Sequence, residues 1–99
     1  MITKLIEIYN PVSASNSGTS PWKLREIFIN AEHVVAMRPD NMMDRLLHEG
    51  KLPGDLDKRQ SFTKIYLNRG QTGIDITVVG EPEMIEQKLY HSRKQLLKG

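Results

Sequence analysis

Cysteine is absent from this chain. That excludes disulfide stapling, thiolate-ligated zinc and thiol catalysis together, and nothing in the composition points to an oxidising compartment. Long apolar runs are missing too. The longest, such as Ile74–Val79, fall far short of the ~20 residues that a membrane-spanning helix needs. The N-terminal run Met1-Ile2-Thr3-Lys4-Leu5-Ile6-Glu7 has charge inside it, so it does not read as a signal peptide and a cytoplasmic location is expected. A dominant charge of one sign is also lacking. Lys and Arg number 14 against 12 Asp and Glu, a net +2, which permits a nucleic-acid partner without concentrating positive charge as dedicated binders do.

What is present is a pattern of short alternating strands. A length of 99 residues fits one domain, 1–99, with one modest core. Leu5–Tyr9 reads as a strand stopped by Asn10-Pro11. The stretch 11–21 is rich in Ser, Gly and Pro with almost nothing to bury, so it reads as a flexible loop, with ordering on a partner as the alternative. Trp22–Ile29 and His33–Arg38 read as strands around a corner at Asn30-Ala31-Glu32, where Asn30 suits a left-handed conformation. Asp40-Asn41 is a helix cap for Met42–Glu49, and Gly50 is its stop.

The C-terminal third is the most informative. Phe62–Leu67 and Ile74–Val79 alternate around a turn expected over Asn68–Gly73, which is long for a hairpin. Pro82, with acidic neighbours Glu81, Glu83 and Glu86, opens a last helix that ends in Lys94 and Lys98. Neither hairpin nor helix can bury its apolar side alone. The expected fold is therefore α+β: a five-stranded, mainly antiparallel twisted sheet or partial barrel, a short helix inserted after strand three, and a C-terminal helix packed on the sheet. The expected core is Ile6, Ile8, Leu24, Phe28, Val35, Leu46, Ile65, Leu67, Ile76, Val78, Ile85 and Leu89.

Reactive chemistry is hard to assemble. His33, His48 and His91 fall on three different elements with no ligand-type spacing. Asp40, Asp44, Glu49, Asp55 and Asp57 are mixed with Arg45, Lys51, Lys58 and Arg59, as on a solvated face. The glycines of Asn68–Gly73 join strand to strand and lack the helix N-terminus of a phosphate loop. With no nucleophile–base pair and no metal set, the chain is expected to be non-enzymatic, without catalytic residues, metal or cofactor.

Basic residues gather in two places: Lys58, Arg59, Lys64 and Arg69 around the hairpin, and Lys88, His91, Arg93, Lys94 and Lys98 on the last helix. Alternation puts Phe62 and Tyr66 on one strand face with Lys64 between them, either as core or as a stacking surface for single-stranded bases. Met42-Met43 with Leu46-Leu47 is either cover for the sheet or an adaptable patch for a protein partner.

The segment Phe28-Ile29-Asn30-Ala31-Glu32-His33-Val34-Val35-Ala36-Met37, and the helix start Glu81-Pro82-Glu83-Met84-Ile85-Glu86-Gln87-Lys88-Leu89, resemble RemA-type matrix regulators. The same strand, Asn-Ala corner, strand, hairpin and helix order resembles small flagellar proteins of the FlbD type, and size and style resemble small bacteriophage accessory proteins. RemA-type proteins are ring-forming, DNA-binding regulators with paired arginines ahead of the hairpin. Here Lys58-Arg59 stands near that place and Lys64 fits the basic position after it, while the Ser-rich insertion has no counterpart there.

Two functions follow as expectations. The first is a nucleic-acid-associated regulator, homo-oligomeric, contacting phosphate through Lys58, Arg59, Lys64 and Arg69. The alternative is a protein-interaction module, a phage-type inhibitor or modulator of a host protein, using Met42, Met43 and Arg69 at the hairpin tip.

Overall fold

The structure, a computed structural model, describes residues 2–11, 21–69 and 72–98, and at 69, 72 and 92–98 the backbone alone. β-Branched and aromatic residues alternate with polar ones in five segments, and each forms a strand. These are β1 (Ile2–Tyr9), β2 (Lys23–Asn30), β3 (Val34–Pro39), β4 (Phe62–Arg69) and β5 (Thr72–Val79). Helix α1 (Asn41–His48) follows β3, and α2 (Pro82–Lys98) closes the chain. The strands make one sheet in the order β2-β1-β5-β4-β3, with every pairing antiparallel.

The register forces this sheet to roll. Asn30, at the end of β2, pairs with Ile2, while β3 starts with Val34 beside Leu67. Yet only Ala31–His33 links the two, wound as a 3₁₀ turn that advances roughly 2 Å per residue. Strands at opposite edges are thus drawn together without pairing, and the sheet stays open.

Each face has its own cluster. On the inner face Leu5, Ile29, Ile65 and Val78 pack with Ile85 and Leu89 of α2. On the outer face Ile8 and Phe62 pack with Met43 and Leu47 of α1 and with Leu52 just after it. Helix α1 is fixed at both ends. Asp40 Oδ1 accepts the Met43 N–H at 3.0 Å, and Asp40 Oδ2 accepts the Thr77 hydroxyl of β5 at 2.7 Å. At the other end Gly50 takes φ 74, and the N–H groups of Gly50 and Lys51 donate to Leu47 and Leu46 carbonyls, a Schellman ending.

Gly80 sets the entry to α2. Its φ is 128, and a Cβ there would lie 2.5 Å from Met84 Cε and 3.0 Å from Ile85 Cδ1. Its N–H donates to the Ser61 carbonyl at 2.8 Å, and its carbonyl accepts the Thr63 hydroxyl at 2.7 Å. The first turn of α2 is thereby pressed onto the start of β4. Among the described residues no helix is long and apolar enough to cross a membrane.

Three expectations are corrected. Asn30 is extended, at φ −92 and ψ 119; it caps the 3₁₀ turn by accepting the Glu32 N–H, so no left-handed corner is needed. The long turn at Asn68–Gly73 is mostly strand, because Asn68 pairs with Gly73 and Arg69 with Thr72; residues 70 and 71 lie outside the described residues. Ile6, Phe28 and Val35 are exposed, and Leu5, Ile29 and Ala31 fill the inner core instead. β1 and β2 carry apolar side chains at both parities, and the uncovered part of the outer face received the ones expected inside. The loop expected over 11–21 falls, at 12–20, outside the described residues.

Candidate nucleic-acid interface

Of the basic residues singled out near the hairpin, Lys64 has the most defined setting. It lies on the outer face of β4, opposite Thr77 on β5 and opposite Arg38 on β3. The β3–β4 register slips between Val34 and Ala36. This β-bulge moves the rest of β3 by one position and so turns Arg38 onto the Lys64 face. Without the slip Arg38 would oppose Thr63 on the inner face.

Two cations now stand directly across a strand pair, which disfavours the fold. The Arg38 guanidinium lies 5.4 Å from the centroid of the Tyr66 ring, an offset worth about 0.5–1 kcal/mol at an exposed site. Among the described residues neither Arg38 nor Lys64 has a carboxylate within ion-pair distance; the pairs formed are Lys4–Glu26, Arg25–Glu7, Lys51–Glu49 and Arg59–Asp57. Arg38 is exposed, Lys64 and Tyr66 are half-buried, and Asp75 of β5 faces Tyr66 on the same surface.

Lys58 and Arg59 occupy the exposed loop before β4. Lys64 follows Arg59 by five positions, so their Cα atoms are at most ~18 Å apart. Arg59 is already committed locally. Its backbone N–H donates to Asp57 Oδ1 at 2.8 Å, its Nη2 lies 3.4 Å from Asp57 Oδ2, and these bonds hold the Asp57 carboxyl below its ordinary range. Among the described residues the ion pair of this loop is Arg59 with Asp57, and none joins it to Lys64. The side chain of Arg69 lies outside the described residues, as do those of Arg93, Lys94 and Lys98.

Two further expectations divide residue by residue. Met43 is buried in the outer cluster, which corrects its assignment as a protein contact, because its side chain is held between α1 and the sheet; Met42 remains exposed. Phe62 is likewise buried and cannot stack on a base, leaving Tyr66 as the accessible ring of that row. Arg38 was legible in the sequence only as the last basic residue before Pro39. Its partner was hidden because a bulge leaves no signature in β3.

Other charged groups serve the scaffold. The buried Glu7 carboxylate accepts Arg25 Nε at 2.8 Å, and the Arg25 guanidinium lies 3.9 Å over the Tyr9 ring. The Asp44 carboxyl is pushed above its ordinary range by burial first and by the Asp40 charge second. Among the described residues no three His, Asp or Glu side chains converge as a metal set. Compared with protein-family models, curated proteins and solved structures, the chain matches none.

Proposed function

We propose that the protein is a non-enzymatic, nucleic-acid-associated regulator that contacts phosphates through Lys64 and Arg38. Lys58 and Arg59 supply a second, looser contact, and Tyr66 offers a ring for an unstacked base. The observation that carries this reading is the unneutralised Arg38–Lys64 pair. Fixed like charges oppose folding, and a phosphate would turn that opposition into attraction. A cytoplasmic location suits this role.

The test is a salt titration of binding to labelled duplex and single-stranded oligonucleotides, followed by anisotropy. Each phosphate contact contributes about −0.9 to the slope of log affinity against log salt for duplex. The double variant Arg38→Glu with Lys64→Glu should lower affinity steeply at low salt and flatten that slope by about two units. Unchanged affinity in this variant, or no binding by the wild type at low salt, would overturn the proposal.

A second reading, a protein-interaction module acting on a host protein, is favoured by the 49% exposure of Met42 on α1. A partner bound that way would be lost with Met42→Glu and retained by the charge-reversed variant.

A further inference from the structure

The two edge strands of the rolled sheet are protected very differently. β3 is six residues long, carries the register slip at Val34/Ala36 and ends in Pro39. Shortness, a bulge and a proline are the usual means of blunting an edge. β2 has none of them. It runs eight residues, pairs without interruption along β1, and has no strand on its other side. Among the described residues its outward backbone groups make no backbone hydrogen bond.

The sequence of this open edge is palindromic in chemistry. Glu26-Ile27-Phe28-Ile29-Asn30 reads polar, apolar, aromatic, apolar, polar in either direction. A two-fold interface requires residue i to meet j while j meets i, and an antiparallel strand pair does this about its central residue. Centring on Phe28 sets Phe28 against its own copy, Ile27 against Ile29, and Glu26 against Asn30. Other centres fail. Centring on Lys23, Arg25 or Glu26 opposes like charges, centring on Leu24 opposes Lys23 to Arg25, centring on Ile27 sets Glu26 against Phe28, and centring on Ile29 sets Phe28 against Asn30 and Glu26 against Glu32.

Side-chain placement fits the same centre. Phe28 is 61% exposed, and Ile2 on the adjacent strand is 57% exposed; both lie on the outer face, with Ile2 beside Asn30 and Lys4 beside Phe28. Asn30 uses its amide oxygen on the Glu32 N–H, which leaves its NH₂ to donate. Glu26 engages Lys4 through Oε2 at 3.4 Å, which leaves Oε1 to accept.

We infer that β2 is a homodimerisation edge: a second copy of this chain pairs its own β2 antiparallel to it about Phe28, extending the sheet across the two-fold axis. This surface is separate from Lys64 and Arg38, so it stands or falls independently of the nucleic-acid reading.

Light scattering over a concentration series should give a dimer that dissociates on dilution. Phe28→Asp places two carboxylates at the axis and should raise the dissociation constant by roughly a hundredfold or more. Val35→Asp, at an equally exposed position on β3, should leave the dimer intact. Because the chain has no cysteine, oxidation of a Phe28→Cys variant gives a second readout, since directly opposed residues hold their Cβ atoms about 4.5–5.5 Å apart. It should link two chains much faster than Val35→Cys. A wild type that stays monomeric at its highest soluble concentration would overturn the inference, as would an assembly unaffected by Phe28→Asp or equal linking of the two cysteine variants.

Discussion

The inner and outer faces of the sheet start from similar material and are finished differently. The inner face lies under the 17-residue α2, and side chains from all five strands converge beneath it. The outer face is covered at one end only, by the eight-residue α1 and the loop after it. Beyond that cover Ile2, Ile6, Phe28 and Val35 remain in water. The teaching is that apolar alternation marks a strand's two sides without saying which side is covered; the length and seat of the helices decide that.

Substitutions can break or sharpen this contrast. Phe62→Ala empties a ring that is 1% exposed beneath α1 and should cost about 3–5 kcal/mol. Phe28→Ala, the same chemical change on the uncovered part of that face, should alter monomer stability by no more than about 0.5 kcal/mol. Urea denaturation of the two variants, at concentrations where the chain is monomeric, measures the difference directly; similar losses would mean that the outer face is covered throughout.

Gly80→Ala tests the seal of the inner face. The substitution meets an unfavourable φ and two side chains of α2, so a loss of about 1–3 kcal/mol is expected, read as a lower melting temperature. Met84→Ala in the same chain should recover part of it, because the 2.5 Å contact is to the Met84 methyl.

The smallest effect concerns Asp44, on the covered end of the outer face. Its Oδ1 is buried with no hydrogen-bond partner among the described residues, and its pKa is raised by desolvation. A carboxyl raised in the folded state weakens folding when ionised. The penalty is full above the folded-state pKa, fades as pH falls through it, and is gone below the ordinary value of 3.8. Asp44→Asn should therefore stabilise at neutral pH, by less than about 1 kcal/mol because the group is only partly out of water. That gain should vanish in acid, as urea melts at the two pH values would register.

Much of the architecture was legible because it rests on local signals. Asp40 before an amphipathic run, Gly50 after it, and Pro82 among acidic residues each specify a helix end, and Ile85 and Leu89 follow at one-turn spacing into the core. What stayed hidden depends on non-local geometry. Phe28 and Ile29 are neighbours of equal apolarity in β2, and only the position of α2 puts Ile29 inside and Phe28 outside. Lys64 could be flagged as a basic residue between two aromatics. Its neighbour Arg38 could not, since the register slip that unites them is a property of two strands.

Asp40 gives the short helix an unusual dependence. One carboxylate oxygen starts α1 and the other is fastened to Thr77 on the central strand β5, while the Asp40 N–H donates to the Phe62 carbonyl of β4 at 3.0 Å. The opening turn of α1 is therefore anchored to the middle of the sheet as well as to its own cap. Displacing β5 would therefore pull on the opening turn of α1 through Asp40, in addition to the hold that Ile8 and Phe62 have on Met43 and Leu47, so strand and helix are obliged to move together.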